Sequence, residues 1–181
     1  MEALRSRIKE NEKLVSDALA AYFAARSGTA LYQAMEYSVV NGGKRIRPFL
    51  TLEFCRLFGA PAEAALPYAC AIEMVHNFSL IHDDLPCMDN DDLRRGQPTC
   101  HKKFGEAQAL IFSAFACMAA APGQSAGSKV QAVQILSEAA GADGMCEGQM
   151  LDMESESRRI PFERLLSLHA HKTGALMRAA A

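Results

Sequence analysis

The chain has 181 residues, half of them hydrophobic, with 19 basic against 21 acidic side chains and a formal charge of −2. That length and apolar share suffice for one substantial core, so a single domain over 1–181 is expected, and the near-neutral charge gives no sign of a nucleic-acid partner or an anionic membrane. "MEALRSRIKENEK" lacks the apolar stretch of a signal peptide and the run "ALIFSAFACMAAA" at 109–121 is too short to span a bilayer, so no membrane span and a cytoplasmic location are predicted.

Apolar residues recur at the helical period along nearly the whole chain. The pattern predicts helices over 2–25, 29–41, 48–58, 62–84, 105–121, 128–152 and 161–180. Gly42-Gly43 closes the second and Pro48 suits the first turn of the third. Pro86, Gly96 and Pro98 break the chain after the fourth, and "APGQSAGS" at 121–128 is a loop. Strand-like alternation, internal repeats and low-complexity linkers are absent from the pattern, so the expected fold class is an all-α bundle. The six cysteines (55, 70, 87, 100, 117 and 146) include no CxxC pair and mostly fall in apolar segments, as reduced thiols do.

The fourth helix carries the first functional signal. In "LPYACAIEMVHNFSLIHDD" (66–84), Glu73, His76, Leu80, Asp83 and Asp84 fall within about a third of the helical circumference, while Ile72, Val75, Phe78 and Ile81 spread round the rest. A helix apolar on most sides is buried, yet its polar stripe ends in carboxylates where the helix dipole disfavours negative charge. The acidic run continues through "HDDLPCMDNDD" (82–92), with Asp83, Asp84, Asp89, Asp91 and Asp92. Alone, that run reads first as a solvated acidic loop and only second as oxygen ligands for a hard cation.

Basic residues flank the acidic run on both sides. "GGKRIRP" (42–48) sets Lys44, Arg45 and Arg47 in a tight connection, and "DDLRRGQPTCHKK" sets Arg94, Arg95, Lys102 and Lys103 just beyond the aspartates. Each set alone reads as a solvated turn. Together they suit a polyphosphate, held directly by guanidinium forks and ammonium groups or through Mg2+ bridging to carboxylates. No GxxxxGK[ST] phosphate loop is present, and an EF-hand fails because Leu93 and Arg94 stand where an oxygen ligand and Gly are needed.

Four ordered segments, "GGKRIRP", "HNFSLIHDDLPCMDNDDLRRGQPTCHKKFGE", "GMCEGQMLDME" and "HAHKTGAL", resemble the trans-isoprenyl diphosphate synthases, and the bacterial farnesyl diphosphate synthases most closely. The resemblance runs from about residue 29 to the end. It implies an all-α bundle of the isoprenoid synthase type with a central apolar cavity, working as a homodimer. It also implies a Mg2+-dependent prenyltransferase joining isopentenyl diphosphate to an allylic diphosphate, with farnesyl diphosphate as product. In that family "DDLPCMD" is the first aspartate-rich motif. By carry-over Asp83 and Asp89 are the metal ligands, with Asp84 in support. Lys44, Arg47, His76 and Arg95 hold isopentenyl diphosphate, Arg94, Lys172 and Thr173 contact the allylic diphosphate, and Gln149 and Asp152 line the site from another helix. Phe78 and Ser79, five and four places before the first aspartate, bear on product length.

Two departures from the family pattern accompany the match. After "FGEAQAL" the usual Leu-Ala-Gly-Asp-Ala-Leu type segment is missing and the chain runs directly into "IFSAFACM". It also ends at Ala181, before the second aspartate-rich motif that normally supplies the remaining Mg2+ ligand. The competing expectations are a synthase of another chain length, making geranyl or geranylgeranyl diphosphate, and a non-catalytic subunit of such an enzyme.

Overall fold

The computed structural model describes residues 2–25, 28–106 and 114–181. The junction after Leu110 therefore lies outside the described residues. Within them the secondary structure is almost entirely helical: α1 (Glu2–Ala24), α2 (Ala30–Val40), α3 (Ile46–Leu57), α4 (Ala62–Asp83), α5 (Cys100–Phe104), α6 (Ala114–Ala119), α7 (Ala126–Ala140), α8 (Met145–Ser155), α9 (Phe162–His169) and α10 (Ala175–Ala180). One π-helical turn, Ala170–Gly174, joins α9 to α10. No helix among the described residues is long and apolar enough to cross a membrane.

α4 is the axis of the bundle. Every residue from Ala69 to Val75 is buried, so the helix is enclosed on all sides at its middle, as its apolar circumference demands. α3, α6, α1, α2 and α10 pack round it. α1 contributes one stripe, Val15, Leu19 and Phe23, all fully buried at a spacing of four. One turn earlier Asn11 ties α1 to α3: its amide donates to Glu53 Oε1 at 2.8 Å and its carbonyl accepts from Arg56 Nη2 at 2.9 Å.

Three features differ from the sequence expectations. Instead of a helix starting at 105, the chain forms the short helix α5 (Cys100–Phe104), which Gly105 closes at φ 90°. The predicted helix over 128–152 is two helices, α7 and α8, separated at Gly141–Gly144. The chain turns so sharply there that a Cβ on Gly144 would lie 2.2 Å from the carbonyl oxygen of Ala139, a contact only glycine avoids. Between α4 and α5 there is also a small antiparallel hairpin, β1 (Leu93–Arg94) and β2 (Gln97–Pro98), in the register Leu93↔Pro98 and Arg94↔Gln97. Its two corner residues, Arg95 and Gly96, both have positive φ (52° and 77°), the backbone of a two-residue hairpin turn. Strands of two residues show no alternation, so nothing in the periodicity could report them.

Leu19 is fully buried between α1 and the core. Leu19→Ala is expected to lower the unfolding free energy by about 2–5 kcal/mol in urea denaturation followed by circular dichroism. A loss below about 1 kcal/mol would mean that α1 is not part of the cooperative core.

Candidate diphosphate site

The C-terminal end of α4 turns back on itself. The amides of Met88 and Asn90 both donate to the Leu85 carbonyl, at 2.9 and 3.1 Å, and the Asp89 amide donates to the carbonyl of Asp83 at 2.9 Å. This curl is why six residues can separate two carboxylates that act on one another. Asp83 is half-buried, and its carboxyl is pushed above the usual range by burial and by the charges of Asp89 and Asp84, while Lys172 and Arg94 oppose the rise.

Asp84 faces the other way and is already neutralised. Arg94 Nε lies 2.7 and 2.8 Å from its two carboxylate oxygens, and Arg94 Nη2 approaches Oδ1 at 2.5 Å. The hairpin makes this possible by placing its two arginines on different partners. Arg94 closes on Asp84, while Arg95, in the left-handed corner, donates from Nη1 to the Gly42 carbonyl and lies over Gly43, where a Cβ would come within 2.9 Å of its guanidinium.

At the middle of α4 the charges are of the opposite sign. His76 is held in neutral form, its pKa lowered to about 3, first by burial and then by the guanidiniums of Arg47, Arg95, Arg45 and Arg94. Arg47 is half-buried with its Nε sealed from solvent and without a hydrogen-bond partner. A buried guanidinium N–H left without an acceptor is costly, and an anion in the cavity would meet it.

Arg45 explains how such crowding is tolerated. It was singled out by sequence only as part of a basic turn, yet it is 2% exposed with φ 48°, and its Nη1 pairs with Glu73 Oε1 at 2.7 Å while Nη2 donates to the Val39 carbonyl at 2.6 Å. Glu73 is equally buried and also accepts from Asn77 Nδ2 at 3.3 Å. Glu73 lies on the polar stripe of α4, and a buried glutamate requires a buried cation, so the stripe held the signal for this pair.

The far wall comes from α8 and the π-helical turn. A Cβ on Gly148 would stand 2.0 Å from the Lys172 amide nitrogen, so α8 and the turn touch backbone to backbone. The turn carries Lys172 and Thr173, and Lys172 Nζ meets Asp152 Oδ2 at 2.5 Å. π-helical turns are rare and concentrate at functional sites.

Between these walls lies a cavity of about 390 Å³. It gathers Arg47, His76, Ser79, Asp83, Gln149, Lys172 and Thr173 from the candidates, with Leu80, His82, Met88, Met145, Cys146, Met150 and Met153 between them. Asp84, Arg94 and Arg95 line an adjoining pocket of about 40 Å³ behind α4. Lys44, Phe78, Asp89 and Asp152 line neither. Lys44 is exposed beside Arg45, and Phe78 stacks on His82 with ring centroids 4.7 Å apart. Among the described residues no three His, Cys, Asp or Glu side chains form a metal cage. Mg2+ rarely uses one, since it commonly takes one or two carboxylates with water and phosphate oxygens, and the carboxylate of Asp83, its pKa raised by burial and by the charge of Asp89, fits that donor set.

Comparison with known proteins gives a consistent picture. The polyprenyl synthetase family model matches residues 28–181. A farnesyl diphosphate synthase of Geobacillus stearothermophilus is 44% identical over 179 residues, covering 94% of this chain and 60% of its own length. The heterodimeric geranylgeranyl pyrophosphate synthase large subunit 1 of Arabidopsis thaliana is 44% identical over 188 residues, 97% of this chain and 51% of its own. The chain thus spans a little over half the length of these curated relatives. Among solved structures, an FPP/GFPP synthase from Zymomonas mobilis superposes with a TM-score of 0.84 at 37% identity, covering 96% of this chain and 68% of that one.

The His76 environment has a consequence in solution. The unfolded chain takes up a proton near the ordinary value of 6.5 that the folded chain refuses until about 3. The stability this group contributes is therefore complete above pH 6.5 and is lost as pH falls toward 3. Relative to His76→Gln, the wild type should lose stability across that window with a slope of up to about 1.4 kcal/mol per pH unit. Parallel pH profiles for the two proteins would place His76 outside the arginine cluster.

Proposed function

The chain belongs to the polyprenyl synthetase family, and from that premise we propose that it serves the Mg2+-assisted condensation of isopentenyl diphosphate with dimethylallyl or geranyl diphosphate, giving farnesyl diphosphate. The observation that carries this reading is the single cavity lined by Arg47 and His76 and, about 10.5 Å further along α4, by Asp83. Two turns of one helix thus separate a cationic subsite from an acidic one.

Lys44, Arg47, His76 and Arg95 hold isopentenyl diphosphate, whose oxygens supply the partner that the Arg47 Nε lacks. Neutral His76 donates an N–H without adding to the positive charge already present. Asp83 and Asp89 would hold Mg2+, which when bound supplies positive charge at the departing diphosphate. Asp84 fixes Arg94 through Nε and Nη2, and Arg94 contacts the allylic diphosphate. Lys172, aimed by Asp152, and Thr173 meet the same group from the π-helical turn, beside Gln149.

The allylic C–O bond breaks with its electron pair leaving on diphosphate, the double bond of isopentenyl diphosphate attacks the resulting cation to form the new C–C bond, and the released diphosphate takes the proton whose loss beside the second cation restores a double bond. No side chain forms a covalent bond in that sequence. The work of the protein is to stabilise the leaving group and exclude water from the cation, and the methionine wall of Met88, Met145, Met150 and Met153 is apolar and deformable enough to follow a growing chain. A second reading, geranylgeranyl diphosphate as product, is favoured by the geranylgeranyl synthases among the relatives.

Two experiments test these assignments. The complete gene product, given Mg2+, radiolabelled isopentenyl diphosphate and either allylic partner, should form acid-labile lipid. Arg47→Ala should chiefly raise the KM for isopentenyl diphosphate, and Asp83→Ala should lower kcat by about 100-fold or more, because charge on the leaving group develops in the transition state. No incorporation, or identical effects of the two substitutions, would count against the proposal. For product length, Phe78 stands behind the cavity-lining His82, so Phe78→Ala should let that wall recede and release chains of twenty carbons or more. If the variant stays folded and active yet stops at fifteen, Phe78 does not limit growth.

A further inference from the structure

Glu73 does not line the cavity, yet it is the shared counter-ion of the cationic subsite. Its carboxylate bonds Arg45 directly and reaches Arg47 and Arg95 through space, raising the affinity of both for their protons. Its place on α4 is one turn before His76 and Asn77, and the Asn77 amide donates to its backbone carbonyl at 2.7 Å. Arg45 lies between Lys44 and Arg47 and is held in a left-handed conformation that a non-glycine residue adopts only where its surroundings enforce it. Both groups of the pair are 2% exposed.

We propose that the buried Glu73–Arg45 pair is the positioning element of the isopentenyl diphosphate subsite, locking the Lys44–Arg47 turn in register with His76 on α4. The inference rests on the diphosphate reading given above and deepens it. A bond of about 2.7 Å between α4 and this turn fixes the turn to the helix that bears His76, and the second bond, from Arg45 Nη2 to Val39, fixes it to the end of α2. The glycines before it, with φ of 79° and 124°, leave the turn no stiffness of its own. The negative charge of Glu73 also lets the guanidiniums of Arg45, Arg47 and Arg95 gather beside His76 before any ligand is present.

A pair kept only for packing behaves differently from one kept for position. Replacing a buried ion pair by apolar residues of similar volume commonly preserves or improves stability, whereas removing one partner leaves a buried charge. The variants are therefore Glu73→Gln and the double substitution Arg45→Met with Glu73→Leu, compared with the wild type for melting temperature and for isopentenyl diphosphate binding by isothermal titration calorimetry. The proposal expects the double variant to fold with at least the wild-type melting temperature and to bind at least tenfold more weakly. Glu73→Gln should also bind more weakly, and kcat at saturating substrate should change less than KM. A double variant that binds like the wild type, or one that no longer folds, assigns the pair to packing alone and overturns the proposal. Absence of binding by the wild type itself would instead overturn the diphosphate reading.

Discussion

A charge taken out of water must meet its opposite, and α4 is the helix on which this protein has to satisfy that condition several times over. Other helices enclose it, and it still carries Glu73, His76 and Asp83, with Asp84 at its C-cap. Each has a different solution. Glu73 takes Arg45, and Asp84 takes Arg94 through two nitrogens. His76 gives up its proton among four guanidiniums. Asp83 is left with a raised pKa, set by burial and by the carboxylates of Asp89 and Asp84 against the opposing charges of Lys172 and Arg94.

The loops round α4 can be understood as means of delivering those partners. The glycine pair before Lys44 lets the chain reverse so that Arg45 enters the core while Arg47 reaches the cavity from the first turn of α3. The hairpin after the aspartates turns at Arg95-Gly96, which separates two adjacent arginines onto Asp84 and onto the Gly42 carbonyl. Opposite, the missing side chain of Gly148 lets the π-helical turn approach α8 backbone to backbone, presenting Lys172 to Asp152. Strained backbone and close approach occur at the positions that set the charges, as expected where function overrides local preference.

How much of this could be read from sequence follows from the range of each interaction. The helical periods of α1 to α4 were legible because burial repeats every turn, and the acidic and basic clusters because they are contiguous. The break between α7 and α8 was missed because "GADG" interrupts the apolar pattern too briefly to outweigh the helical period on both sides. Arg45 was undervalued because it stands among exposed basic neighbours, and only its partner 28 residues away shows it to be core. The π-helical turn at 170–174 left no mark at all, since a single widened turn does not alter composition or period enough to register.

On the function proposed above, Asp83 and Asp89 take up a metal that arrives with a diphosphate. Binding of metal and of diphosphate must then be coupled, each tightening the other by the same factor. The direct measurement is the dissociation constant of a non-reactive allylic diphosphate analogue, titrated calorimetrically with and without Mg2+, for the wild type and for Asp83→Asn. The expected result is at least tenfold tighter binding with Mg2+ in the wild type and loss of that enhancement in the variant. Affinity independent of Mg2+ in the wild type, or an enhancement that survives in Asp83→Asn, would contradict it.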